Sequence, residues 1–188
     1  MKVGKYTYEE FMELAKEFHG YPAAGLLLAG YMVEKAKGLI DKDVQFQAIS
    51  ETQFCLPDAI QMLTPCTVGN GGLAILDLGL YALSIYDKEN GKGVRVAMDP
   101  GKVDPYPELK AWYLKLKPKS KLDENLLFED IKRAGDAVTS VKEITVMPGF
   151  LEKPSKGEIA ICPKCKEGYP LKNGDVCRLC GGNSPYQD

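Results

Sequence analysis

The sequence predicts an α+β domain, a mixed or antiparallel sheet packed with helices, that carries a small four-cysteine zinc finger at its C-terminal end. Three observations predict it. Helical and strand periodicities follow one another in irregular order, which argues against repeated βαβ units. A clear hairpin signal, Lys88-Glu89-Asn90-Gly91, lies between alternating apolar residues. Four of the six cysteines crowd the end of the chain as two Cys-x-x-Cys pairs. A length of 188 residues holds one ordinary domain with an appendage. The expected division is 1–150 for the core, 151–157 for a linker and 158–188 for the finger.

Taken in order, Thr7-Tyr8-Glu9-Glu10 is a capping box that starts a helix, with Phe11, Leu14, Ala15 and Phe18 on one face. It ends near His19-Gly20. A second helix starts at Pro22, a good first helical position, and runs to about Lys37, roughly 24 Å. Leu26 to Val33 make it apolar nearly all round, so it is expected to be central or to lie in a subunit interface. Val44 to Ser50 reads as a strand, and Pro57 starts a short helix to about Leu63. Leu73 to Leu83 fits either a strand or a short helix. Leu83 to Met98 forms the hairpin. Helices are expected over Pro107–Leu116 and Asp123–Ala137, then a strand over Lys142–Met147. Pro148-Gly149 opens the linker, which contains Pro154 and Gly157.

A net charge of −2 and a pI near 5.6 offer no global attraction for nucleic acid or an anionic membrane. The longest apolar run, Ala23 to Val33, is too short to span a bilayer. The start, Met1-Lys2-Val3-Gly4-Lys5, carries no signal-peptide pattern, so reduced thiols and a cytoplasmic location are expected.

In the tail, Cys162-Pro163-Lys164-Cys165 is followed after eleven residues by Cys177-Arg178-Leu179-Cys180. Four thiolates at this spacing suit tetrahedral zinc; ligand count alone also admits iron in a rubredoxin-like site. The alternative of two disulfides fits poorly with a reducing compartment. Tyr169-Pro170-Leu171 and Asn173-Gly174 suit a small hairpin between the pairs. Lys164, Lys166, Lys172 and Arg178 are offset by Glu158, Glu167, Asp175 and Asp188, which disfavours a phosphate-tracking surface.

In the core, His19 is the single histidine, set between Phe18 and Gly20 at a helix junction. Cys55 precedes the helix at Pro57, a setting that lowers a thiol pKa. Cys66 borders the loop Thr67-Val68-Gly69-Asn70-Gly71-Gly72. Imidazole and thiols are zinc or iron ligands, and the expectation is that the three segments meet. The plainer readings stand beside it: a capping histidine, two small buried thiols, a simple turn, a helix-start charge at Asp58, solvated Lys92 and Arg95, and a core aromatic at Tyr21.

Phe18-His19-Gly20 with Gly25, Cys55-Leu56-Pro57-Asp58-Ala59-Ile60-Gln61, Cys66-Thr67-Val68-Gly69-Asn70-Gly71 and Gly91-Lys92-Gly93-Val94-Arg95-Val96 follow in one order. Together they resemble the FmdE family, named for a component of formylmethanofuran dehydrogenase, from about residue 7 to 147. The tail looks like the zinc finger that many members append. The resemblance implies an α+β fold, an intimate homodimer and association with molybdenum or tungsten redox enzymes of anaerobic one-carbon metabolism. Their subunits would be partners, and the pterin chemistry would belong to those subunits. The family's first motif is typically Phe-His-Gly-His-x-Cys-Pro-Gly. Here Tyr21 replaces the second histidine and Ala23 the cysteine. His19, Cys55 and Cys66 would then be a reduced ligand set for a second metal, zinc or iron, with Asp58 beside it as a catalytic group. Two other readings stay open. One is a stand-alone metal-dependent enzyme on a small substrate, with Asp58 or Tyr21 moving protons. The other is a metal carrier or sensor.

Overall fold

The computed structural model describes residues 2–41, 43–151, 155 and 157–187, with the backbone alone at Leu151. The chain divides into two compact units, Met1–Leu151 and Glu152–Asp188. Residues 152–154 and 156 of the expected linker lie outside the described residues, and Pro148–Leu151 before them forms a short helix.

The core is α+β around one helix. β1 (Lys2–Val3) and β2 (Tyr6–Thr7) form a small hairpin that feeds α1 (Tyr8–His19). The Thr7 hydroxyl accepts from the Glu10 amide at 3.1 Å, and the Glu10 carboxylate accepts from the Thr7 amide at 2.7 Å. The box therefore satisfies two helix-start N–H groups reciprocally. Tyr8, Phe11 and Ala15 are the buried face of α1. Phe18, expected on that face, is 54% exposed, because the chain turns away at Gly20.

α2 (Ala24–Gly38) buries every residue from Gly25 to Val33. It packs on α1, α3 and α5 and on two strands of the sheet, all within one chain. That accounts for a helix apolar on every side. The chain's own elements are therefore enough to cover α2, the first of the two settings expected for it.

The sheet runs β4 (Leu73–Ile75), β3 (Phe46–Ser50), β5 (Ala82–Asp87), β6 (Lys92–Met98) and β7 (Thr139–Thr145). β3 and β4 are parallel; all other neighbours are antiparallel. The segment left open between Leu73 and Leu83 is thus an edge strand followed by an irregular loop. Ala48, Leu83, Ile85, Val94, Val96 and Met98 share the face that packs on the helices. Ile49 and Tyr86 belong to a smaller cluster with Val146 on the other face. In the tight hairpin, a Cβ on Gly93 would stand 2.6 Å from the Tyr86 Cα, so only glycine lets β5 and β6 approach here.

α3 (Leu56–Leu63), α4 (Pro107–Tyr113) and α5 (Glu124–Ala134) complete the layer. α4 and α5 are each shorter than their sequence signals. Pro107 has no N–H, and the next two amides, Glu108 and Leu109, donate to the buried Asp130 carboxylate at 2.9 and 3.3 Å. α5 thereby caps α4 from outside. Asp130→Ala is expected to cost about 1–2 kcal/mol, as loss of a helix cap does; the shift of the urea midpoint at constant slope checks it.

In the second unit, β8 (Ile159–Ile161) pairs with β9 (Gly168–Pro170). The hairpin therefore encloses the first cysteine pair. It does not lie between the two pairs, and Leu171–Asn173 is a single tight helical turn. The second pair leads into a short helical stretch, Leu179–Asn183, interrupted where Gly182 takes φ 97°.

Candidate functional site

The four tail thiols converge, all lying within 4.8 Å of one another. The Cys165 and Cys177 sulfurs are 3.6 Å apart. A tetrahedral zinc with Zn–S near 2.3 Å requires sulfurs about 3.8 Å apart, so the donor set fits the ion. Backbone N–H groups of Cys165 and Cys177 lead in pulling the Cys162 thiol down to about 6. The thiol hydrogen bond with Cys177 leads in pushing Cys180 up to about 12. One thiolate forms readily, and Cys165 and Cys180 then resist ionising beside it. A cation of charge two relieves that repulsion.

The core residues are arranged differently. Phe54 and Leu56 close a turn on Cys55, with the Leu56 amide donating to the Phe54 carbonyl at 2.5 Å. Cys55 takes φ 54° and ψ −45°, the rare and strained hand of the γ-turn. The turn holds the thiol against the first turn of α2. A Cβ on Gly25 would lie 3.0 Å from the Cys55 sulfur, which is why a glycine stands there. The Tyr81 hydroxyl donates to the Gly25 carbonyl at 2.5 Å and fixes the same turn from below.

Asp58, in the first turn of α3, accepts from His19 Nδ1 at 2.6 Å. It serves both as a helix-start charge and as the partner that orients the imidazole. Tyr21 packs its ring on His19 at 4.9 Å between centroids. Burial, and then the Asp58 charge, push the Cys55 thiol up. The activation expected from a helix N-terminus is outweighed, and Cys55 is a thiol at neutral pH.

Cys66 does not join this group. Cys55 and Cys66 flank opposite ends of α3, whose eight residues span about 12 Å, whereas two ligands of one ion each stand about 2 Å from it. Cys66 is buried and aims its thiol at the Phe46 carbonyl, 3.5 Å away. Among the described residues the tail thiols are the one group of three or more metal-ligating side chains that come together. The loop after Cys66 is a turn: the Asn70 side chain accepts from the Thr67 and Gly72 amides at 3.1 and 2.8 Å.

A cleft of about 300 Å³ opens beside Cys55, lined by Tyr21, Ala23–Gly25, Trp112, Lys119 and residues of α5. Sequence patterns alone do not mark Trp112 and Lys119 as site residues. A signal is nonetheless present: Lys115, Lys117, Lys119 and Lys121 alternate just after the single tryptophan. Lys115 lies over the Trp112 ring at 5.3 Å and Lys119 over the Tyr21 ring at 5.9 Å.

An α+β core with a thiol at the floor of a cleft, followed by a four-thiol finger, defines a two-part protein with a structural metal site in its tail and a ligand-sized cavity in its core. Comparison with known proteins gives the family. Residues 18–147 match the family model described as FmdE, molybdenum formylmethanofuran dehydrogenase operon. Residues 153–187 match the FmdE treble clef zinc finger. The chain belongs to the FmdE family and carries its zinc finger. A crystal structure of a tungsten formylmethanofuran dehydrogenase FmdE-like protein from Syntrophus aciditrophicus is similar, with TM-score 0.92 and 46% identity. The match covers 99% of this chain and 98% of that one. A probable S-adenosyl-L-methionine-binding protein of Archaeoglobus fulgidus is 31% identical over 194 residues. The match covers 90% of this chain and 52% of the relative, so the chain spans about half the length of that protein. Among the described residues no helix is long and apolar enough to cross a membrane.

Proposed function

We propose that this chain is an accessory protein of anaerobic one-carbon redox metabolism, working beside a molybdenum or tungsten enzyme and holding a small ligand in the Cys55 cleft. The observation that carries the cleft reading is the strained turn at Cys55, which sets a thiol on α2 next to an oriented His19–Asp58 pair. Backbone strain of this kind persists where the surroundings enforce it, and it clusters at functional sites. Full-length similarity to a protein named for formylmethanofuran dehydrogenase supports the metabolic setting. The pterin and the metal chemistry would reside in the partner enzyme's subunits. The zinc finger would be structural, its metal held by Cys162, Cys165, Cys177 and Cys180.

The experiment is anaerobic affinity purification of the tagged chain from cells that make such an enzyme, with metal analysis of the eluate. Co-elution of molybdenum or tungsten together with zinc is the expected result. Zinc alone, while the enzyme remains in the flow-through, overturns the accessory reading.

A second reading is favoured by the His19–Asp58 geometry: a stand-alone enzyme in which Asp58 orients His19 through Nδ1 and its Nε2, with no hydrogen-bond partner among the described residues, carries a proton. Asp58→Asn would then lower turnover steeply while ligand affinity changes little. The ligand named for the Archaeoglobus relative enters here only as a compound to titrate, because this chain spans about half of that protein.

A further inference from the structure

We propose that the cleft beside Cys55 takes a small organic anion built on a flat unsaturated ring. The inference rests on the cleft being a ligand site and adds the chemical class of the ligand. The cavity measures about 300 Å³, enough for a fused bicyclic ring bearing one acidic group. That is the lower end of the range for small-molecule pockets, about 300–1,000 Å³. Its lining includes the Trp112 ring and, from α5, Leu127 and Phe128. Planar ligands are held by such surfaces.

The charge at its rim is positive. Among the described residues Lys110 pairs with Asp104, and Lys117 pairs with Glu108. Lys115 and Lys119, from the same segment, have no carboxylate within ion-pair reach among those residues and lie instead over the Trp112 and Tyr21 rings. Both ammonium groups favour negative charge on the Cys55 sulfur, though by less than burial and the Asp58 carboxylate oppose it. α2 begins at this floor with Ala23 before it and no capping side chain, which adds the positive end of a 15-residue helix. Two carboxylates lie nearby. Asp58 is held by His19, and Glu124 stands at the exposed start of α5. On the cleft wall itself, the Lys119 ammonium and a helix start therefore stand against the one carboxylate of Glu124, with Lys115 behind them over the Trp112 ring.

Three probes of one shape and different charge test this: naphthoate, naphthamide and naphthylmethylamine. Calorimetry gives the affinities, and quenching of Trp112, the single tryptophan, reports occupancy of this cleft. Naphthoate is expected to bind about 10-fold more tightly than the amide, the equivalent of one well-placed charge contact. Lys119→Gln, at an exposed position, is expected to remove most of that advantage and leave the affinity for the amide unchanged. Equal binding of all three with Trp112 quenching, preferential binding of the amine, or an anion preference that survives Lys119→Gln overturns the anion class while leaving the cleft a ligand site. Absence of quenching by every probe overturns both.

Discussion

Replacing Cys162 with Ser is expected to release the zinc and unfold the tail while the core's own melting transition stays where it was. The buried cluster of the tail is Cys162, Tyr169 and Cys177, with Ala160, Cys165, Val176 and Cys180 packed against it. Four of those seven side chains are the metal ligands. Without the ion, what remains is one tyrosine, one valine and one alanine, too little apolar surface to offset the entropy of ordering the segment. Zinc bound by peptides of this kind contributes about 10–16 kcal/mol, most of it expressed as folding. Cys162 is the most consequential of the four to remove. It is fully buried, and it is the thiol whose ionised form the surrounding N–H groups favour most. The loss in zinc affinity is expected to exceed the roughly 10–100-fold that disturbing a supporting contact produces. Zinc content by mass spectrometry and amide exchange across 158–187 are the measurements. Full zinc occupancy with protected tail amides in the variant would show that the thiol cluster is not what holds this unit together.

The same contrast decides what is legible in the chain before it folds. The tail is legible because its ligands lie in two four-residue knuckles, so spacing alone brings the sulfurs together. α1, α2 and the β5–β6 hairpin are legible because a capping box, an all-round apolar run and an Asn-Gly turn are local signals. The core site is legible only in part. His19, Cys55 and Asp58 stand out in the sequence and come to one place in the fold, but Cys66 stands out with them and does not. The length of α3 carries it away, and nothing at Cys66 itself reveals that. The family resemblance supplies the order of the motifs without their roles. Gly25 and Gly93 prove to be places where another backbone or a sulfur comes close, and Asn70 holds a turn. The lysines after Trp112 show in the sequence as an alternating run, but which of them stay unpaired depends on their neighbours, a three-dimensional property.

Arg95→Leu is expected to destabilise the core by about 3 kcal/mol, the lower end for breaking a buried ion pair by removing one partner. On sequence grounds Arg95 is a plain solvated strand residue. In the fold its Nε and Nη2 donate to the two Glu51 carboxylate oxygens, each at 2.6 Å, across 44 residues of sequence. Arg95 and Ser84 are register partners on β6 and β5, on the sheet face turned away from α2. Glu51 is 7% exposed and follows directly on β3. Its own backbone is heavily used: the amide donates to the Ala82 carbonyl, and the carbonyl accepts from Leu78 and Leu80. The guanidinium thus neutralises a residue that anchors two amides of the loop before β5, those of Leu78 and Leu80. Leucine in its place leaves a carboxylate with little access to water and no partner, and the chain would relieve that cost by pulling Glu51 and the loop outward. A melting temperature lower by roughly 10 °C is expected for a chain of this size. Arg95→Leu combined with Glu51→Leu separates the two components of the cost, because the double variant buries no unpaired charge. Its stability is expected to return to within about 1 kcal/mol of the parent. A single variant that melts with the parent would mean that Glu51 reaches water through the sheet's outer face.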